Sequence, residues 1–530
     1  MPSGMVRREI LGMLGVPVPG LVPGLQSPAS AGLAPTAGPA AHKVYDVREF
    51  GARGEPARNE SASFQAAIDA CHKAGGGIVF VPPGNYLCAS LLLKSYVTLY
   101  LDAGSIVYAS TKPGDYKDHG ELLIAQKAEH ISILGPGTLH GQGTADLGRR
   151  PGFADEPRPQ FRPRVLLLED CRHVTLRDFS ILYSDSWACH LLRCEKVVVD
   201  GLTILNNYFR TNSDGIDPDS CRDVRISNCH ITAGDDCICL KASTSTPCED
   251  IVVTNCTTES VATAIKLGTG SEGDFRNITI SNCTVRNSTV GVGMFVKDGG
   301  TIERVTVSNL TIETLRDPSQ VNPERLRNMI YPIFMDVEKR TDASRIGAIR
   351  DVSLSNIQIH SDNGILIQGM QESAIENVTL RDVFLRVTRP FDYSERKKHA
   401  GGTINPKDDR ITLYARQPSY CTLANARGVV VDNFRVVGDP KVLATFPRSA
   451  VALFRVQGAL LRGIHRDPAA QSASVVALHE CREALVTGCL APAGTGAYLS
   501  LEGMQKDVLA MEANDLRRAR LQVSAGHGKD

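Results

Sequence analysis

Nine-residue segments recur along this chain at a fixed interval, and that repeat limits the fold more than any other feature. DVRISNCHI begins at Asp223, DIVVTNCTT at Asp250, NITISNCTV at Asn277 and RVTVSNLTI at Arg304, so each start falls 27 residues after the last. Related copies begin at His173, Lys196, Asp351 and Asn377, with weaker ones at Val429, Ala459 and Ala484. Within a unit, apolar and polar residues alternate over five or six positions, the period of a half-buried strand. A short Asn, Asp or Gly turn then leads into a second brief strand. One such unit cannot bury its own apolar face, but stacked coils can, with like residues in ladders about 4.8 Å apart. The pattern predicts an all-β chain, a right-handed single-stranded parallel β-helix. Helical repeats would show a 3.6-residue period, and leucine-rich repeats a different leucine spacing; neither is present.

Asn228, Asn255, Asn282 and Asn309 share one repeat position, and Cys229, Cys256 and Cys283 the next. They read as an asparagine ladder serving the turns and a thiol ladder filling the core. The cysteine total, 15, is odd and shows no zinc-spaced pairs, so no disulfide framework is indicated.

An open solenoid end exposes core and strand edges and needs a cap. SFQAAIDACHKAGGG from Ser63 supplies one: Phe64, Ala67, Ile68 and Cys71 share a helical face, and Gly75 to Gly77 end the helix. The β-helix domain is expected over 42–530, capped over 42–85, with weaker coils after 420. Residues 1–41 read as an export signal, Arg7-Arg8 admitting a twin-arginine type, or as a disordered segment, since Pro17, Pro19 and Pro23 interrupt the apolar run. Lys plus Arg and Asp plus Glu both total 58. That balance argues against nucleic-acid or anionic-membrane partners. No apolar run of membrane-spanning length, about 20 residues, follows position 40.

Two acidic clusters stand out, Asn212-Ser213-Asp214-Gly215-Ile216-Asp217 and Gly234-Asp235-Asp236-Cys237. Asp214 and Asp235 are 21 residues apart, close to one coil, so the three aspartates Asp214, Asp235 and Asp236 are expected on one face in adjacent layers. Packed carboxylates raise one another's pKa, and glycoside hydrolysis needs one protonated acid beside an ionised base. Stacked aspartates also suit calcium, and either cluster alone suits a turn. Spacing leaves all three readings open.

The chain resembles glycoside hydrolase family 28, the polygalacturonase and rhamnogalacturonase group of the pectin-lyase-like β-helix superfamily. The resemblance runs from about Val44 to at least Val387. It rests on VYDVREFGA at Val44, GTLHGQG at Gly137, SWACH at Ser186, NSDGIDP at Asn212, GDDCICLK at Gly234 and YPIFMDVEKR at Tyr331. It implies Asp235 as general acid, with Asp214 and Asp236 holding and deprotonating the attacking water. Inversion would follow without cofactor or metal, and Asn212 would orient Asp214. The expected partner is a pectin-like polysaccharide or oligosaccharide, the expected form a monomeric exported O-glycosyl hydrolase.

Departures from the family pattern matter too. Thr263 stands at the family's histidine, Phe295 at the arginine of its Arg-x-Lys, and His140 at a usual aspartate. Lys266 and Lys297 remain as candidate substrate-binding cations, though a lone lysine clamps a carboxylate less well than a guanidinium. A neutral or differently decorated sugar is therefore as plausible as polygalacturonate. Trp187, the only tryptophan, is a candidate sugar-stacking or core residue, and His190 a positioned structural one. Two rivals stay open: a calcium-dependent polysaccharide lyase and a non-catalytic carbohydrate-binding β-helix.

Overall fold

The computed structural model describes residues 43–116, 119–145, 160–314, 330–389, 418–469, 473–504 and 508–525. The N-terminal residues to 42, which contain the expected export signal, lie outside them. From Lys43 onward the chain forms one unit, and its strands pair in parallel with the strands one coil away. Val174, Val197, Val224, Ile251 and Ile278 stack on one face. Ile181, Ile204 and Ile231 stack on a second. On the third, Cys189, Ile216, Ile238, Ile265 and Val292 are in register. All these side chains are buried in one apolar core. The expected parallel β-helix is the observed fold, because alternate residues of every strand find the same interior.

The turns explain the asparagines. Asn228, Asn255, Asn282 and Asn309 hold φ of 57°, 54°, 55° and 56°, the left-handed region. Asparagine reaches that region at little cost, and Gly201, Gly463 and Gly488 occupy the same turn in other coils. Their side chains also link the coils: Asn309 donates to Asn282 at 3.1 Å, and Asn228 donates to Asp200 at 2.7 Å. Replacing Asn282 by valine is expected to cost about 1–2 kcal/mol, read as a lowered urea midpoint, because β-branching disfavours this turn. Asn282→Gly should restore most of that loss. Equal losses for both would assign the effect to the side-chain hydrogen bonds.

All fifteen cysteines are free and buried. Besides the expected column of Cys229, Cys256 and Cys283, a second one runs through Cys171, Cys194, Cys221 and Cys248, whose Sγ atoms contact carbonyl oxygens of neighbouring coils.

The helix Ser61–Lys73 closes the N-terminal end, with Phe64, Ala67, Ile68 and Cys71 turned inward as its sequence pattern requires. Phe64 meets Tyr86 edge-on at 5.2 Å between centroids. On the first face, equivalent positions are 27 residues apart from Glu195 to Glu303, then 47 apart to Arg350. The longer step contains 315–329, outside the described residues. Among the described residues no helix is long and apolar enough to cross a membrane.

Candidate active site

The two acidic clusters occupy equivalent bends, each just before a strand of the third face. The bend before Ile216–Asp219 carries Asp214, and the bend before Ile238–Ala242 carries Asp235 and Asp236. Gly215 N–H donates to Asp236 O at 2.9 Å, which fixes the two bends one coil apart. Close approach explains the flanking glycines. A Cβ on Gly215 would lie 2.4 Å from Cys237 O, and one on Gly234 would lie 2.3 Å from Asn207 O. Only glycine lets the two acidic bends stack this tightly.

Asp214 and Asp236 are buried, and ligand atoms of Asp214, Asp236 and Cys239 lie within 4.8 Å of one another. Asp235 is half-buried, and its Oδ2 accepts the Asn212 N–H at 3.0 Å. Asn212, expected to orient Asp214, makes this bond to Asp235 through its backbone. Thr263 works through its backbone as well, donating its N–H to Asp236 Oδ1 at 3.1 Å.

Two lysines answer these charges. Lys266 Nζ lies 2.7 Å from Asp236 Oδ2. Lys241 Nζ lies 2.9 Å from Asp217 Oδ1 and 3.5 Å from Asp214 Oδ2, and touches Cys239 Sγ at 2.9 Å. Burial, then the nearby Asp217 charge, pushes the Asp214 carboxyl well above its ordinary range; burial raises Asp217 too, against the pull of Lys241. For Lys241, burial works against the charge, but Asp217 and its neighbours outweigh it and hold the ammonium above its usual range. Lys266 is raised in the same way, with Asp236 overcoming burial. Asp219 goes the other way: the His190 ring beside it and hydrogen bonds from Ser243 outweigh burial and draw it down to about 2.

This donor set suits a cation poorly. Calcium prefers six to eight oxygen ligands, whereas a thiol stands here with two carboxylates already facing ammonium groups. Lys241 and Asp217 had drawn no role from the sequence, although both sit at outward strand positions inside the quoted motifs. The missing signal was the local coil length: Ile216 pairs with Ile238, 22 residues on, where the surrounding repeat is 27.

The other candidates fall around this cluster. Trp187, one coil before Asp214, has the Arg164 guanidinium carbon and Lys241 Nζ each 4.7 Å from its ring centroid. His190 meets Trp187 edge-on at 4.8 Å, contacts Arg164 through Nδ1 at 3.1 Å and faces Asp219 through Nε2 at 3.6 Å. Lys297 is buried in an ion pair with Glu338. Phe295 is buried against Phe334, its ring 5.3 Å from Lys266 Nζ. His140 packs between Tyr108 and Tyr183.

The model of the glycosyl hydrolases family 28 matches residues 71–398, more than half of the chain. A probable polygalacturonase of Vitis vinifera is 30% identical over 37% of this chain and 43% of its own length. An exopolygalacturonase of Zea mays is 26% identical over 38% and 50% respectively. The chain thus spans about half the length of the curated relatives it matches. Among solved structures, the family 28 exopolygalacturonase of Yersinia enterocolitica superposes with a TM-score of 0.58 at 19% identity, over 78% of this chain and 79% of that one. The hyperthermoactive exopolygalacturonase of Thermotoga maritima gives 0.56 at 21%, over 65% and 87%. These two likenesses show the fold.

Proposed function

Because this chain belongs to glycosyl hydrolases family 28, we propose that it is an inverting O-glycosyl hydrolase acting on a pectin-like polysaccharide or oligosaccharide. The observation that carries the reading is the stacking of the Asp214 bend on the Asp235-Asp236 bend, which brings two buried carboxyl groups and a half-buried one together on one face of the solenoid. Asp235, half-exposed and held by the Asn212 N–H, protonates the leaving oxygen. Asp214 and Asp236 hold the attacking water and take its proton. Lys241 and Lys266 keep the cluster from carrying four uncompensated negative charges, an arrangement that would otherwise destabilise the fold.

The sugar that reacts is neutral on this reading. Lys266, Lys241 and Lys297 are each engaged by a carboxylate of the protein, and the buried Phe295 adds no charge beside them. A uronate ring placed there would add negative charge without meeting an unpaired ammonium. Export ahead of action on an extracellular glycan is supported by Arg7-Arg8 and the apolar run that follows.

The test is hydrolysis of a panel of pectic glycans, with the first-formed anomer read by proton nuclear magnetic resonance. The expected result is an inverted reducing end, unaffected by chelator, with slower release from unbranched polygalacturonate than from glycans with neutral units. Unsaturated, ultraviolet-absorbing products that disappear with chelator would favour the lyase reading instead. Binding without turnover on every glycan would make the chain a carbohydrate-binding solenoid.

A further inference from the structure

The site face is electrically divided along the solenoid axis. On the C-terminal side lies the carboxylate cluster: Asp214, Asp217, Asp235 and Asp236 against Lys241 and Lys266. One and two coils earlier the balance reverses. There Asp185 draws in Arg162, from the coil before it, and Arg210, from the Asp214 coil, at 3.1 and 2.7 Å. Arg164 stands beside them, half-buried.

Arg164 differs from the other cations of this region in its company. Its guanidinium lies over the Trp187 ring at 4.7 Å, and Nη1 donates to His190 Nδ1 at 3.1 Å. An arginine can only donate, so Nδ1 is the acceptor of that contact, and Nε2 is left to face Asp219. Among the described residues Arg164 forms no ion pair. Stacking on an indole and one hydrogen bond to an imidazole fix the direction of the fork without a carboxylate partner among the described residues, which is how a guanidinium is readied for a carboxylate.

Register places this group in line with the reaction centre. Leu166 pairs with Cys189 and Cys189 with Ile216, so Arg164, Trp187 and Asp214 occupy successive coils. Arg164 is thus about two strand spacings, ~10 Å, from Asp214 along the axis, beyond any ring that reacts at the aspartates. We propose that Arg164, held by Trp187 and His190, forms a subsite for an acidic sugar unit of the substrate, N-terminal of the carboxylate cluster. The choice of ligand rests on the glycan-cleaving reading. The subsite deepens it: an acidic unit anchors the chain at one end of the cleft and a neutral unit reaches the aspartates.

Trp187 is the only tryptophan, so its fluorescence reports on this subsite directly. The experiment titrates the full chain carrying Asp235→Asn, which blocks turnover, with trigalacturonic acid and with its carboxyl-reduced, neutral counterpart. The acidic probe is expected to give a saturable change that Arg164→Gln weakens at least tenfold and added salt weakens too. The neutral probe is expected to bind equally with and without Arg164, which also shows that the variant is folded. Arg164→Lys should recover part of the acidic affinity. The proposal is overturned if Arg164→Gln weakens both probes alike, if it weakens neither, or if the acidic probe gives no saturable response. Turnover is measured separately on the unmodified chain. Inert glycans alongside the expected binding would sink the hydrolase reading and leave the subsite standing.

Discussion

Asp235→Asn is expected to lower kcat on a natural glycan by roughly 10²–10⁴-fold, the range for loss of a positioned general acid. The exchange nearly preserves shape, and the amide oxygen still accepts the Asn212 N–H that now meets Oδ2. Asp235 is also only half-buried. Folding should therefore be little changed, and the loss should appear in turnover rather than in substrate affinity. What disappears is the proton for the leaving oxygen. An aryl glycoside of the same sugar with a good leaving group needs no such proton, so Asp235→Asn should lose little on it. Asp214→Asn and Asp236→Asn should lose activity on both substrates, because activation of water is needed in either case. The comparison of kcat across the three variants and two substrates separates the roles. If Asp235→Asn falls equally on both substrates, Asp235 is not the acid. Burial and Asp217 raise Asp214 in the unliganded cluster, which makes Asp214 the next candidate.

The second large effect concerns stability. Lys241→Met is expected to destabilise the protein by about 3–5 kcal/mol at neutral pH, the cost of removing one partner from a buried ion pair. Lys241 is the cation nearest Asp217, which is fully buried, and it also faces Asp214. Methionine fills a similar volume, so lost packing contributes little. The pH dependence identifies the cause. Asp214 and Asp217 already have folded-state values above the ordinary 3.8, and Lys241 is what restrains both. A carboxyl raised on folding contributes stability that is full below its unfolded value and is lost as pH rises through its folded value. Without Lys241 that loss grows. The deficit of the variant should thus be largest at neutral pH and shrink as pH falls toward 4, where both carboxyls take up protons. Denaturant midpoints of the two proteins at the two pH values provide the check. A deficit independent of pH would mean that Lys241 acts by packing alone.

The parts of the molecule legible in the sequence share a physical feature: each follows a regular interval along the chain, either the coil or the helical turn. The asparagine turns could be read because a left-handed φ admits few residue types, so the same types return every 27 residues. The inward face of Ser61–Lys73 could be read because helical spacing alone decides it. The three aspartates could be placed together because their separation is close to one coil.

The partners of those aspartates could not be placed in the same way. Lys241 in ICLKA and Arg164 in FRPRVLLL look like any outward strand cations, and Phe295 looks like any core phenylalanine. The role of Lys241 depends on one short coil, in which Ile216 meets Ile238 after 22 residues, and those of Arg164 and Phe295 on which groups of neighbouring coils their side chains meet. The sequence by itself determined the β-helix, its helical cap, its turn chemistry and the acidic bends, since local periodicity and backbone sterics set them. Only the tertiary structure decided which charges are answered: Asp217 by Lys241, Asp236 by Lys266, Lys297 by Glu338, and Arg164 by an indole and an imidazole. Burial makes such pairings costly to leave unmade, and burial exists only once the coils have stacked.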